Sequence, residues 1–221
     1  MFELYTNIIF GVDNSISMWY TIERKEKKKK KKDSIRTTKN IVFIGLFTAI
    51  IAVLSQIAIP LPTNVPVTLQ TFAVALAGYF LGWIKGSMSA VVYVLLGAVG
   101  VPVFSNWKGG LSVLTSYTGG FIIGFILFAL MCGLGSSFFS SKKLSGKIIA
   151  LLLGIAGLLI DHAFGIIWYA HVANITLGKS LLTVSLPFLL KDVISVAAAY
   201  FISEELVKRL AKMGTYSRKA A

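Results

Sequence analysis

From residue 40 onward the chain is a succession of apolar runs, each about 17 to 25 residues long and separated by short polar or proline-bearing breaks. An α-helix rises 1.5 Å per residue, so a run of this length crosses a hydrocarbon core of about 30 Å. Six such runs fall at residues 41–59, 67–82, 86–103, 119–138, 148–170 and 181–203. Pro60, Pro62 and Pro66 break the chain after the first run. Gly109 and Gly110 loosen the third connection, and Lys142, Lys143, Ser145 and Gly146 form the fourth. In lipid every backbone polar group must be satisfied within its own segment, and these runs are too continuous for the alternating pattern of a barrel. The expected fold class is an all-α integral membrane protein with six transmembrane helices.

Composition agrees. Of 221 residues, 56% are apolar and 14% charged, whereas soluble domains carry about a quarter charged residues. The net charge of +13 does not point to nucleic acid, because the basic residues sit in flanks and short loops rather than on a folded, aromatic-interleaved face. They read as a topology signal. All of the 22 basic residues except Lys108, Lys179 and Lys191 fall on one side of the six-span arrangement, so both termini are expected in the cytoplasm, with residues 60–66, 104–118 and 171–180 facing outward.

Residues 1–39 differ in character from the rest. Arg24, Lys25, Lys27–Lys32, Arg36 and Lys39 repel one another and have no core to bury, which predicts a disordered basic tail. Its apolar opening precedes the lysines, the reverse of a secretory signal. A membrane domain of residues 40–205 and a second basic tail, 206–221, complete the expected organisation. Cys132 is the sole cysteine, which excludes an intrachain disulfide, and no Cys/His cluster suggests zinc or iron–sulfur. No cofactor is expected. A phosphate-binding GxxxxGK[ST] is also missing, so active transport by this chain needs energy from elsewhere.

Repeated small residues, Gly78/Gly82/Gly86 and Gly120/Gly124, allow close helix approach. Gly45, Thr48, Ala49 and Ala52 make a similar face on the first run, suited either to internal packing or to docking a second membrane protein. Ionisable residues inside the spans are more informative, since each costs about 2.5–3.5 kcal/mol or more at the bilayer centre unless paired or hydrated. Lys191 and Asp192 lie about eleven residues into the last run, where Asp192 is a candidate ligand group or half of a structural ion pair. Asp161 and His162 fit an interhelical hydrogen-bonded pair as well as a functional one. A hydrolase is disfavoured: no GxSxG is present, and adjacent Asp and His point to different helix faces.

Taken together, the stretch Val65-Pro66-Val67-Thr68-Leu69-Gln70-Thr71, then Leu76-Ala77-Gly78 with Leu81-Gly82, then Tyr93 and Leu96-Gly97-Ala98-Val99-Gly100-Val101-Pro102-Val103-Phe104 resembles the BioY family. Those proteins are the biotin-binding S components of energy-coupling-factor transporters. The similarity continues through Gly109-Gly110, Thr118-Gly119-Gly120-Phe121, Gly124-Phe125, Trp168 and Pro187-Phe188-Leu189 followed by Asp192. It implies a six-helix prokaryotic plasma-membrane protein that is not itself an enzyme and binds biotin in a cavity near the outer face. Release would follow docking, through the face around Gly45 and Ala49, on a transmembrane coupling protein with two cytoplasmic ATPases. Residues 60–66 and 104–118 would form its lid.

Biotin offers an apolar ring and chain, a ureido group and a carboxylate. Asp192 is the expected ureido acceptor, Gln70, Tyr93, Asn106, Trp107 and Tyr117 are the expected polar and aromatic walls, and Lys108 and Lys191 are the available cations. The family commonly carries a lysine three residues after the aspartate. Here Ser195 occupies that position and Lys191 precedes Asp192, so Lys191 is expected to assume the role. An S component for another vitamin, or a self-assembling facilitator or channel lined by Lys191 and Asp192, remain the alternatives at this point.

Overall fold

The computed structural model describes residues 24–27, 34–35, 37–139 and 144–213. The lysine run 28–32, Lys142, Lys143, Arg218 and Lys219 lie outside the described residues. Residues Met1–Val42 and Phe43–Ala221 form two separate units. In the first, residues 24–27 make a helical turn and helix α1, Thr37–Ser55, begins.

The second unit is a helical bundle. After α1 come a two-stranded ribbon, β1 (Ala58–Ile59) and β2 (Val67–Thr68), then α2 (Gln70–Leu81), α3 (Trp83–Ala98) and a single turn, α4 (Leu111–Leu114). The remaining helices are α5 (Gly119–Gly135), α6 (Leu144–Ala173), α7 (Leu177–Val184) and α8 (Leu186–Lys212). Four segments are long and apolar enough to cross a membrane: α1, Gly119–Phe138, α6 and α8. The runs expected at 67–82 and 86–103 become the shorter apolar helices α2 and α3, of 12 and 16 residues.

Each departure from the expected boundaries has a local cause. The first run ends as helix at Ser55 because Ala58–Ile59 pairs antiparallel with Val67–Thr68 (Ala58 opposite Thr68) across a turn containing Pro60, Pro62 and Pro66. This ribbon departs from an all-α fold by one small element. A twelve-residue helix rises only about 18 Å, short of a hydrocarbon core of about 30 Å. The run at 181–203 splits at Ser185, just before Pro187, so α8 starts five residues later than expected and α7 replaces part of a supposed loop. At the far end of α8, Glu204 is nearly buried and pairs with Lys208 at 2.9 Å and Lys147 at 3.9 Å.

Glycines set the helix spacing. Only Gly82, at φ 86°, separates α2 from α3, which reverses the chain without a Cβ in the way. A Cβ on Gly86 would lie 2.6 Å from Gly78 Cα, and one on Gly78 would collide with the Ala129 carbonyl and lie 2.8 Å from Cys132 Cβ of α5. The 78/82/86 repeat is therefore not one ridge. It packs α2 on α3 at one glycine pair and α2 on α5 through the same Gly78. Gly120 and Gly124 press α5 against α6 at Phe164, Trp168 and Asp161. The main core runs along these contacts through Ala77, Phe128, Ala129, Cys132 and Leu158. A second apolar cluster, Val65, Tyr169, Val184 and Phe188 with Tyr117 and Phe121 packed on it, gathers the ribbon turn onto the ends of α6, α7 and α8.

Gly78→Val is expected to destabilise the protein by about 1–3 kcal/mol through overpacking against the α5 backbone. Gly45→Val, where a Cβ would meet nothing within 4 Å, should change stability by less than about 0.5 kcal/mol. Thermal unfolding in detergent checks the pair; equal melting temperatures would refute the packing role of Gly78.

Candidate functional site

The site grows from the point where α2 stops short. Thr68, the last residue of β2, donates its hydroxyl to Gln70 Oε1 at 3.0 Å and accepts the Gln70 backbone N–H at 3.3 Å. The Gln70 amide nitrogen then donates to Tyr93 Oη of α3 at 2.6 Å. Gln70, Thr71 and Tyr93 are all buried, and each buried amide or hydroxyl left unmatched would cost about 1–3 kcal/mol. The turn that ends the ribbon thus supplies the partners that the first turn of α2 needs.

From the other side comes α8. Because the helix starts at Leu186, Lys191 and Asp192 occupy its second turn, about 9 Å from its start, not the eleven-residue depth that the longer run suggested. Neighbouring helical residues normally diverge by about 100°, yet the lysine stem folds back so that Lys191 Nζ lies 2.5 Å from Asp192 Oδ1. The same ammonium donates to the Thr68 carbonyl at 2.9 Å, joining α8 to the ribbon across 123 residues of sequence. Asp192 Oδ2 lies 3.3 Å from His162 Nε2 of α6, and His162 Nδ1 lies 2.8 Å from Ser185 Oγ at the α7–α8 junction. A continuous polar chain therefore runs Ser185–His162–Asp192–Lys191–Thr68–Gln70–Tyr93, through four helices and the ribbon.

Of the residues expected to bind ligand, Asp192, Lys191, Gln70 and Tyr93 are brought together in this chain. Ser195 lies one turn farther along α8 and bends its hydroxyl to the Lys191 carbonyl at 2.9 Å. Tyr117 stands in the adjacent apolar cluster, its ring 5.4 Å from Tyr169, whose hydroxyl donates to the Thr63 carbonyl at 3.2 Å. Asn106, Trp107 and Lys108 lie exposed on the connection before α4. There Lys108 pairs with Phe104 through the backbone, and the Trp107 backbone N–H donates to Gln56 Oε1 at 2.8 Å. The structure does not bring these three to the polar chain.

Sequence reasoning misses Thr68, Thr71 and Ser185 as site members and leaves His162 open between an interhelical hydrogen bond and a functional role. Thr71 has its hydroxyl within hydrogen-bonding reach of Asp192. Asp161 was left open; it is 2% exposed, and its Oδ1, which has no hydrogen-bond partner, packs over Gly124. A helical-period signal existed for part of this set: Gly154, Gly157, Leu158, Asp161, His162 and Gly165 all lie on the buried face of α6. On the partner-docking face, Thr48 turns inward and donates to the Ser89 carbonyl at 3.1 Å, and Ala52 packs on the core. Gly45 and Ala49 are exposed along α1, the least buried of the four long spans.

Chemically, the chain offers an anchored carboxylate, an ammonium, an amide and a phenol beside aromatic walls from Tyr117, Phe121, Tyr169 and Phe188. Phe188 and Asp192 stand one helical turn apart on α8. Such a setting suits a small, largely apolar guest with a few polar groups. No group of three His, Cys, Asp or Glu side chains suited to a metal occurs among the described residues. Lys191→Met should destabilise the protein by about 1–3 kcal/mol by removing the charge partner of the buried Asp192, and adding Asp192→Asn should recover part of that loss. Melting of the single and double variants checks this; a double variant no better than the single would remove the ion pair from the account.

Comparison with known proteins gives this arrangement a context. The BioY family model matches residues 25–212. "Biotin transporter BioY" of Thermotoga maritima is 39% identical over 173 residues, covering 77% of this chain and 96% of the relative. "Probable biotin transporter BioY" of Pyrococcus horikoshii is 35% identical over 168 residues, covering 76% and 96%. A crystal structure of the S-component for biotin from an ECF-type ABC transporter superposes with a TM-score of 0.69 at 28% identity, covering 78% of this chain and 93% of that one. With most of its length matched by the family model and by relatives aligned almost end to end, the chain belongs to the BioY family.

Proposed function

We propose that this chain is the high-affinity biotin-binding subunit of an energy-coupling-factor transporter in a prokaryotic plasma membrane. The observation that carries the proposal is the Lys191–Asp192 pair, its carboxylate buried and its lysine half-buried, tied through Thr68 to Gln70 and Tyr93. A carboxylate buried in an apolar bundle is costly to maintain for structure alone, and the related proteins named above are biotin transporters. Asp192 accepts a ureido N–H in this proposal, Gln70 and Tyr93 meet the polar edge, and Tyr117, Phe121 and Tyr169 cover the apolar ring. Lys191, committed to Asp192 and the Thr68 carbonyl, braces the acceptor at the ureido end, which leaves Lys108 as the cation for the substrate carboxylate. Exposed Lys108, with Asn106 and Trp107, serves at the outer rim as the connection 104–118 and the ribbon turn close over the guest.

The same proposal takes α1, α2, α3, α5, α6 and α8 as six crossings with both termini cytoplasmic. The position of Lys85 just after the α2–α3 reversal, and of Lys147, Lys208 and Arg209 at helix ends, supports that orientation under the positive-inside rule. Gly45 and Ala49 then form the face that meets a transmembrane coupling protein driven by two cytoplasmic ATPases. The chain itself carries out no chemical reaction. The basic segments 1–39 and 206–221 flank the membrane domain as cytoplasmic tails.

Isothermal titration of the purified protein with biotin tests the assignment: saturable binding is expected, and binding of a different vitamin in its place would redirect it. Asp192→Asn should weaken biotin binding by about 1–3 kcal/mol, roughly 5- to 150-fold. Unchanged affinity would remove Asp192 from the site. Gly45→Val should leave biotin affinity unchanged while lowering the amount of chain that copurifies with a coexpressed coupling module.

A further inference from the structure

Resting on the biotin-binding proposal for Asp192, we infer that His162, held by Ser185, is a positioning residue that aims the Asp192 carboxylate at the substrate. The geometry is specific. Both side chains are nearly buried, His162 at 4% and Asp192 at 6% exposure, with 3.3 Å between Nε2 and Oδ2. An ionised carboxylate only accepts hydrogen bonds, so Nε2 must carry the proton that faces it. In the neutral ring Nδ1 is then an acceptor, and the Ser185 hydroxyl, 2.8 Å away, donates to it.

Ser185 has an obvious competing use that it does not take. Serine at a helix start ordinarily caps the first turn, but the Ser185 side chain makes no cap bond to α8. Its hydroxyl is directed to His162 instead. The imidazole is also held from the side, by the Phe121 ring at 5.8 Å and an interplanar angle of 89°. Phe121 in turn fits only because Gly165 has no Cβ to collide with its ring. Lys191 beside Oδ1 and His162 beside Oδ2 brace the carboxylate from both sides, and Oδ1, which has no hydrogen-bond partner, keeps lone pairs open to a guest. A preorganised acceptor of this kind favours a single, fixed N–H donor, such as one of the two diverging N–H groups of a planar cyclic urea, because outer-shell partners that orient a binding group set its effectiveness.

A double-variant cycle tests the inference by biotin titration. His162→Leu should weaken binding about tenfold or more. His162→Gln, whose amide N–H can replace Nε2–H, should recover binding to within about threefold of the parent protein. In the Asp192→Asn background His162→Leu should cost less than about threefold. Ser185→Ala gives a milder second probe should the leucine variant not fold, with a loss expected that Asp192→Asn likewise abolishes. Independently of biotin, ¹⁵N spectra of ring-labelled protein carrying His171→Gln should show His162 protonated at Nε2 and bare at Nδ1. Equal losses for the leucine and glutamine variants that persist beside Asp192→Asn, or a proton on Nδ1 alone, would overturn the positioning role. Biotin affinity unmoved by Asp192→Asn would instead overturn the substrate assignment and, with it, any role for His162 in binding, while the tautomer still reports whether the chain of hydrogen bonds is as described.

Discussion

An ionised carboxylate cannot be left alone in a bundle that excludes water, and the arrangement of this molecule follows from keeping Asp192 accompanied. Its companions come from distant parts of the chain: the ammonium of its own neighbour Lys191, the imidazole of His162 on α6 and the hydroxyl of Thr71 on α2. The lysine is itself committed to a backbone carbonyl of the ribbon at Thr68. Transfer of any one of these groups to an apolar surrounding without its partner costs several kcal/mol. The ribbon, the short α2 and the break before α8 therefore stand or fall together, since each delivers one end of a single polar chain.

Close helix approach makes that delivery possible. Gly120 and Gly124 of α5 receive the backbone and side chains of α6, and Gly165 of α6 receives Phe121 of α5, so the two helices interlock at the level of Asp161 and His162. In lipid, apolar burial does not drive helices together, and close van der Waals contact through small residues takes over much of that work. The glycines are thus part of the site's construction even where they touch no polar group, because a methyl at Gly124 would displace Asp161 and shift α6 relative to α8.

Much of the architecture was legible in the sequence, for an identifiable reason: run length and hydropathy are local properties. The apolar helices were found, and the family resemblance drawn from Val65–Phe104 and Pro187–Asp192 agreed with the comparisons. Boundaries failed where backbone pairing or a helix break decided them. Nothing local announced that Ala58–Ile59 would leave the first helix to pair with Val67–Thr68, or that Ser185 would interrupt an apolar stretch whose only marker was Pro187. The site divided along the same line. Asp192 and Lys191 stood out because charge is rare in such a chain, whereas Thr68, Thr71 and Ser185 are ordinary residues that acquire importance only through contacts across as many as 123 positions. Asn106, Trp107 and Lys108 carried suitable chemistry in a suitable loop, but their connection leaves them facing outward.

Helix α6 has 30 residues, about 45 Å of rise against a hydrocarbon slab of about 30 Å. Such an excess is absorbed by leaning, by protruding or by stretching the surrounding acyl chains, at a fraction of a kcal/mol per ångström. His162 rides on this helix and Asp192 on another, so any change in the tilt of α6 against α8 would alter the gap between them, and bilayer thickness is one influence on such a tilt.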